Sequence, residues 1–332
     1  LIDGKWYIER KCGINNIRNF YRFFMKILIV ANQNTGKMSP FVVEQMEALR
    51  KEGCVVDTYG VVGHGLLGYL KNLPALKQKI KECKPDIVHA HYGLSGLLAT
   101  LQKDVPVVIT YHGSDIHSRG ILLELSRVAM RRAAYNVFVT EKLRLIAGYN
   151  KDNYCVQACG LNLDEFIVRS REEASAELGW KVGVKKVLFS SSFERTVKNA
   201  PLAKAAMDLV PEAELVELKG FNRHQVQLAM NAADCLLLTS LNEGSPTVIK
   251  EAMAVGTPIV SVGVGDVSDV TVGTTGCFIS KSYNADELAG LIRKALAFEG
   301  KTNGRERIIE LGLSNDLIAK RLMRIYNLII AD

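Results

Sequence analysis

Two glutamates in the stretch 242–258, which reads NEGSPTVIKEAMAVGTP, have the spacing and surroundings to bind a ligand rich in hydroxyl groups. Glu243 lies in a predicted turn, and Glu251 follows about one and a half helical turns into a predicted helix. Ionised carboxylates accept hydrogen bonds from hydroxyls, so this pair could bind the sugar and ribose of a sugar nucleotide. As bare spacing, however, two glutamates eight residues apart also occur by chance on a protein surface.

The elements around these glutamates predict a phosphate-binding turn. The apolar segment Cys235–Thr239 is typical of a buried parallel strand. Ser245 is expected to cap a helix whose first residue is Pro246, and the later Gly-Thr-Pro ends that helix before the next strand. Because a helix N-terminus offers unpaired N–H groups and a partial positive charge, this turn suits a phosphate.

Two cations follow another predicted strand, Lys186–Ser190. Arg195 and Lys198 stand three residues apart just after it. Arginine offers a fork of donors and lysine a point charge, and together they can neutralise a diphosphate. The alternative is a solvated basic loop.

Three histidines lie in or directly after predicted strands of the first half. His112 follows the predicted strand Val107–Tyr111, at the carboxyl end where open α/β sheets place their ligands, although it could equally be structural. His89 and His91 share one face of a strand and could chelate a metal. Since no third ligand is apparent in the sequence, we expect packing or hydrogen-bond contacts for these two instead.

Length and composition predict two globular α/β domains. The 332 residues exceed one ordinary domain, and 48% of them are hydrophobic. The seven cysteines form no Cys-x2-Cys pair, so neither a zinc site nor a disulfide framework is expected, and a cytoplasmic location is. No apolar run approaches the roughly 20 residues of a membrane span. The net charge is +7 and is confined to residues 1–165, a distribution that does not favour nucleic acid as a partner.

Residues 1–24 differ from the rest of the chain because their aromatic side chains are interspersed with basic ones. Met25–Val30 looks like the natural first strand of an α/β domain. We therefore expect residues 1–24 to be an extension ahead of the fold, with a membrane-surface anchor as the alternative.

The stretch Glu243–Val260 closely resembles the Glu-x7-Glu signature of retaining glycosyltransferases of family 4, which have the GT-B fold. The resemblance covers nearly all of residues 25–332 and includes His112-Gly113, Lys198 and a linker motif at 158–166. It implies an α/β fold with two Rossmann-like domains whose parallel sheets face a central cleft. The implied division is an acceptor-side domain at 25–168, a nucleotide-sugar donor domain at 169–313, and a C-terminal helix at 314–332 that crosses back to the first domain.

The resemblance also implies a set of site residues. Two departures from the family pattern concern the loop around Gly36, which is usually richer in glycine, and Phe193, which holds the usual arginine position two residues before Arg195. The implied catalytic residues are Glu243, His112 and Lys198, and the implied substrate-binding residues are Arg195, Gly244, Ser245, Pro246, Thr247, Val248, Glu251, Gly36 and Phe221.

The implied function is transfer of a sugar, with retention, from a nucleotide-diphosphate donor to a hydroxyl of a sugar or lipid-linked acceptor. Cell-surface polysaccharide or glycolipid synthesis is the implied setting. We expect no cofactor and no metal, because Lys198, Arg195 and the helix amides supply positive charge and no Asp-x-Asp motif is present. Two predicted helices carry clustered basic residues, Lys77, Lys79 and Lys81 on one and Arg127, Arg131 and Arg132 on the other. These are either ordinary solvated faces or a surface for peripheral contact with the anionic inner face of a membrane.

Two alternatives within the fold remain, a GT-B sugar-nucleotide epimerase and a catalytically silent nucleotide-sugar binder. A dinucleotide-dependent oxidoreductase is disfavoured, because Val30–Gly36 lacks the Gly-x-Gly-x-x-Gly expected after the first strand.

Overall fold

The computed structural model describes residues 25–118, 120–181 and 183–331. The expectations for residues 1–24 lie outside this part of the chain. The described residues form two compact units. The first extends to Gly160 and takes up the chain again from Asn315, and the second is Leu161–Ser314. The boundary at Gly160 lies eight residues before the one placed at 168 from sequence.

The first unit is built on a six-stranded parallel sheet in the order β2-β1-β3-β4-β5-β6. Its strands are nearly all apolar, as expected where helices cover both faces of a sheet. The strands are β1 (Lys26–Asn32), β2 (Val55–Val61), β3 (Ile87–His91), β4 (Val107–Tyr111), β5 (Tyr135–Phe138) and β6 (Tyr154–Val156). The helices are α1 (Pro40–Lys51), α2 (Gly65–Leu70), α3 (Leu73–Cys83), α4 (Gly93–Ala99), α5 (Ser114–His117), α6 (Ile121–Arg132), α7 (Glu141–Ala147) and, after the second unit, α15 (Asn315–Ala331).

Side chains of this sheet alternate between two apolar cores. Ile27 and Ile29 of β1 face one core, and Leu28 and Val30 face the other, because successive side chains of a strand point to opposite faces. Helices α1 and α15 cover the first face. The C-terminal helix is thus part of the unit that contains the N-terminal sheet.

The second unit has a five-stranded parallel sheet in the order β11-β10-β9-β7-β8. Its strands are β7 (Lys185–Phe189), β8 (Ala213–Glu217), β9 (Cys235–Leu238), β10 (Ile259–Val262) and β11 (Cys277–Ser280). Its helices are α8 (Arg171–Leu178), α9 (Ala200–Asp208), α10 (Arg223–Ala232), α11 (Thr247–Val255), α12 (Val267–Thr271), α13 (Ala285–Leu296) and α14 (Gly304–Glu310), and a 3₁₀ turn spans Thr196–Lys198. The predicted fold class, two Rossmann-like α/β domains with parallel sheets, is confirmed.

None of the helices in the described ranges has both the length and the apolar content that crossing a bilayer requires.

The packing of α15 gives a stability prediction. Leu322 is 1% exposed and belongs to the core that α15 forms with α1 and the sheet. Leu322→Ala should lower the free energy of unfolding by about 2–5 kcal/mol, because it removes buried methyl groups and leaves a cavity. Urea denaturation followed by circular dichroism measures the change.

The matched control is Arg324→Ala, which alters an exposed residue of the same helix and should change stability by no more than about 0.5 kcal/mol. Equal effects of the two substitutions would show that α15 does not depend on its buried face.

Candidate functional site

The turn between β9 and α11 presents unpaired backbone donors. Helix α11 begins at Thr247, and the N–H groups of Thr247 and Val248 bond to no other residue that the structure describes. Gly244, Ser245 and Pro246 lead into the helix and are all buried. The arrangement can bind an anion, because two adjacent donors coincide with the positive end of the helix dipole.

The prediction that Ser245 caps this helix is wrong. The capping position belongs to Pro246, and no side chain bonds to the first-turn amides there. The Ser245 hydroxyl instead donates to Asp266 Oδ2 at 2.5 Å and accepts from Lys250 Nζ at 2.5 Å. Because the hydroxyl is bonded to Asp266 and Lys250, it does not accept a hydrogen bond from the amides of Thr247 or Val248.

Each glutamate of the Glu-x7-Glu motif forms an ion pair. Glu243 Oε1 lies 2.5 Å from Lys198 Nζ, and their side chains are only 16% and 10% exposed. Glu251 Oε1 lies 2.5 Å from a terminal nitrogen of Arg223, and this glutamate is buried. The structure therefore brings Lys198, predicted to neutralise a diphosphate, to Glu243, predicted to bind the sugar, although the two are 45 residues apart in the chain.

Backbone contacts hold Lys198 in place. It ends the 3₁₀ turn Thr196–Lys198, and the next residue, Asn199, has a left-handed φ of 53°. The Thr239 hydroxyl donates to the carbonyls of Lys198 at 2.9 Å and Asn199 at 3.1 Å. Thr239 directly follows β9, so the lysine is fixed to the same sheet edge as the Glu243 turn.

Sequence reasoning missed Arg223. It is the first residue of α10, between Asn222 and Gln225 of a capping box, and its guanidinium also approaches Glu165 at 3.4 Å and the Phe166 ring at 4.4 Å. Its place two residues after Phe221, which the family resemblance assigns to substrate binding, was an available signal. Phe221 itself is half-buried.

Arg195 is not gathered with these groups. Its side chain is exposed and bonds to no other residue in the described ranges. Of the two cations predicted to neutralise a diphosphate, Lys198 is therefore the one that the structure brings to the Glu243 turn.

In the first unit, His112 follows β4 and is surrounded by other rings. Its Nε2 lies 2.9 Å from Nδ1 of His91, and its Nδ1 lies 3.5 Å from Cys159 Sγ. The rings of Phe41 and Tyr92 have centroids 4.6 and 4.7 Å from the His112 centroid. Burial lowers the pKa of His91 to about 3, so His91 is neutral and meets His112 as an uncharged hydrogen-bond partner.

A carboxyl lies close to this histidine in the chain. Asp115 accepts hydrogen bonds from the N–H of Gly113 at 2.9 Å and of Gly93 at 3.1 Å. Burial raises the pKa of Asp115 to about 6, although these backbone bonds favour its ionised form. The carboxylate ties the loop after β4 to the start of α4.

His89 has protein partners on both ring nitrogens, Tyr326 Oη at 2.5 Å and Thr110 Oγ1 at 2.8 Å. In the described ranges, no three His, Cys, Asp or Glu side chains come together in a way that could hold a metal ion. Gly36 is exposed in the turn after β1, where its φ is +81° and its N–H donates to the Gln33 carbonyl at 2.9 Å.

Each of the two units matches a known protein family. Residues 41–165 match the model of "Glycosyltransferase Family 4", and residues 214–312 match that of "Glycosyl transferases group 1". The putative teichuronic acid biosynthesis glycosyltransferase TuaC of Bacillus subtilis is 27% identical over 257 residues, which are 67% of this chain and 64% of TuaC. The chain therefore matches somewhat less than two thirds of the length of that relative.

Two solved structures share the fold. Sucrose-phosphate synthase from Thermosynechococcus elongatus superposes with a TM-score of 0.80 at 18% identity, over 92% of this chain and 99% of that one. HepE from Anabaena, solved in complex with UDP, superposes with a TM-score of 0.69 at 15% identity, over 92% and 99% of the two chains. With both units matched in sequence and the whole fold matched in structure, the chain belongs to glycosyltransferase family 4 and has the GT-B fold.

Proposed function

We propose that the protein is a retaining glycosyltransferase that moves a sugar from a nucleotide-diphosphate donor to an acceptor hydroxyl. The observation that carries the proposal is the ion pair between the buried Lys198 and Glu243, whose turn also presents the amides of Thr247 and Val248, which bond to no other residue in the described ranges. A diphosphate leaving group, which gains negative charge as the sugar is transferred, is stabilised by this combination of a fixed cation and oriented N–H donors. The name of TuaC supports a role in cell-surface polysaccharide synthesis, and the UDP complex of HepE supports a nucleotide-sugar donor.

In the proposed reaction, the bond between the sugar C1 and the diphosphate oxygen breaks as a bond from C1 to the acceptor oxygen forms on the same face. The leaving diphosphate gains negative charge and accepts the acceptor's proton. Lys198 and the amides of Thr247 and Val248 stabilise that charge more in the transition state than in the bound donor, which is what accelerates the step. Because Lys198 is buried, solvent screens its charge only weakly.

The two motif glutamates have separate roles in this proposal. Glu243 orients the Lys198 ammonium and binds a sugar hydroxyl, while Glu251, held by Arg223, binds the ribose. His112 is assigned to the donor sugar through the family resemblance, with its ring oriented by His91.

The proposed acceptor is a hydroxyl of a sugar or of a lipid-linked sugar. The basic residues that suggested membrane contact are partly used within the first unit. Arg127 pairs with Glu124 at 2.5 Å and Arg132 donates to the Thr100 carbonyl at 3.1 Å. Arg131 and Arg132 are both exposed and the bond to a carbonyl leaves the charge of Arg132 in place, so of these three arginines only Arg127 has its charge offset by a carboxylate.

Removing the Lys198 ammonium or the Glu251 carboxylate should weaken binding of the nucleotide diphosphate that the wild type binds best among UDP, GDP and ADP. Lys198→Ala and Glu251→Ala should each cost about 1.5–3 kcal/mol, the value of a hydrogen bond to a charged group. This corresponds to roughly 10- to 150-fold in Kd, measured by calorimetry.

Lys204→Ala is the control, since Lys204 is an exposed lysine six residues after Lys198. It should leave the Kd unchanged. Unchanged affinity in Lys198→Ala and Glu251→Ala would overturn the site assignment. Binding without any sugar transfer would favour a catalytically silent binder, and inversion of a sugar carbon in the free nucleotide sugar would favour an epimerase.

We also propose that the reaction needs no metal ion, because Lys198 and two backbone amides supply the positive charge at the diphosphate. Turnover of the donor should therefore persist in EDTA at its uninhibited rate. Loss of turnover in EDTA, restored by Mg²⁺ or Mn²⁺, would contradict this.

A further inference from the structure

A lysine that the proposed chemistry does not use is fully buried behind the phosphate-binding turn. Lys250 of α11 has no exposed surface, and its Nζ lies 2.5 Å from Ser245 Oγ. The same hydroxyl donates to Asp266 Oδ2 at 2.5 Å. We call Ser245, Lys250 and Asp266 the Ser245 cluster.

Stability alone is a poor reason for such a cluster. Burying an ammonium and a carboxylate costs several kcal/mol of solvation per ion, and replacing a buried pair with apolar residues is often neutral or stabilising. Asp266 also has its second oxygen, Oδ1, buried with no hydrogen-bond partner in the described part of the chain. The cluster can instead fix the position of Ser245, because a hydroxyl bonded to a donor on one side and an acceptor on the other cannot rotate freely.

The cluster joins three segments. Ser245 lies in the turn, Lys250 in α11, and Asp266 in the loop between β10 and α12. That loop packs directly on the turn, because a Cβ at Gly265, whose φ is +60°, would lie 2.4 Å from the carbonyl oxygen of Gly244. Any change in the position of the loop therefore reaches the turn.

The unbonded amides begin two residues after Ser245, at Thr247 and Val248. Pro246 lies between Ser245 and Thr247, and its ring fixes its φ. The direction of the two N–H groups therefore depends on where Ser245 is held. An anion-binding turn gains most when its donors are fixed before the ligand arrives, because no energy is then spent on orienting them.

We propose that Lys250 and Asp266 are positioning residues for the donor diphosphate, acting through the Ser245 hydroxyl to fix the turn whose amides bind the phosphates. This inference rests on the proposed function. It assigns to Ser245 a role through its side chain that differs from helix capping and from direct contact with the ligand.

The test compares ligands with and without phosphates. Ser245→Ala and the double variant Lys250→Met/Asp266→Leu should each raise the Kd for UDP at least tenfold by calorimetry, or for GDP if that is the nucleotide bound by the wild type. Binding of the matching nucleoside, uridine or guanosine, followed by ligand-observed NMR, should change less than twofold. The double variant removes both buried charges together, so its Tm should stay close to that of the wild type.

Two further variants make the test decisive. Ser245→Thr keeps a hydroxyl and should restore at least part of the diphosphate affinity. Ser268→Ala, at an exposed serine of α12 two residues beyond Asp266, should leave it unchanged. If the double variant does not fold, the comparison of Ser245→Ala with Ser245→Thr carries the same decision.

Diphosphate affinity within twofold of the wild type in Ser245→Ala would overturn the inference while leaving the proposed function intact. Equal losses for the diphosphate and its nucleoside would also overturn it, by showing a general structural role. A wild-type protein that binds none of the nucleotide diphosphates would overturn the proposed function and this inference together.

Discussion

The ion pair between Lys198 and Glu243 is the interaction on which the proposed donor site depends. It places a buried positive charge at the carboxyl edge of the second sheet, and the turn of Glu243 also carries the amides of Thr247 and Val248, which have no partner among the described residues. A cation in that position is costly to bury unless a counter-ion accompanies it, and Glu243 supplies the counter-ion. The sheet makes the pair possible, because β7 and β9 lie side by side and both end at this edge.

The rest of the second unit supports this pair. Thr239 binds the backbone of the 3₁₀ turn that carries Lys198, and the Ser245 cluster connects the Glu243 turn to the loop after β10. A second ion pair, between Arg223 at the start of α10 and Glu251 of α11, likewise joins a cation to the second glutamate of the motif. The site is thus assembled from short loops anchored to rigid strands, which limits how far its charged groups can move.

Most strands could be predicted from sequence because they are short, almost continuous apolar runs between polar loops. Boundaries were less certain. The predicted strand Cys235–Thr239 ends at Leu238, and the Thr239 hydroxyl donates to the carbonyls of Lys198 and Asn199. Ser245 shows why side-chain roles were harder to predict, because its partner Asp266 lies 21 residues away and becomes a neighbour only in the folded sheet. Arg223 was not predicted for the same reason, because its partner Glu251 is 28 residues away in the chain.

The central claim is that the Lys198 ammonium and the amides of Thr247 and Val248 bind the diphosphate of a nucleotide-sugar donor. A crystal structure of the protein with UDP, or with whichever nucleotide it prefers, tests this most directly. We expect phosphate oxygens within about 3.2 Å of Lys198 Nζ and of both amide nitrogens. Phosphates bound elsewhere, for example by the exposed Arg195 with Lys198 still paired only to Glu243, would contradict it.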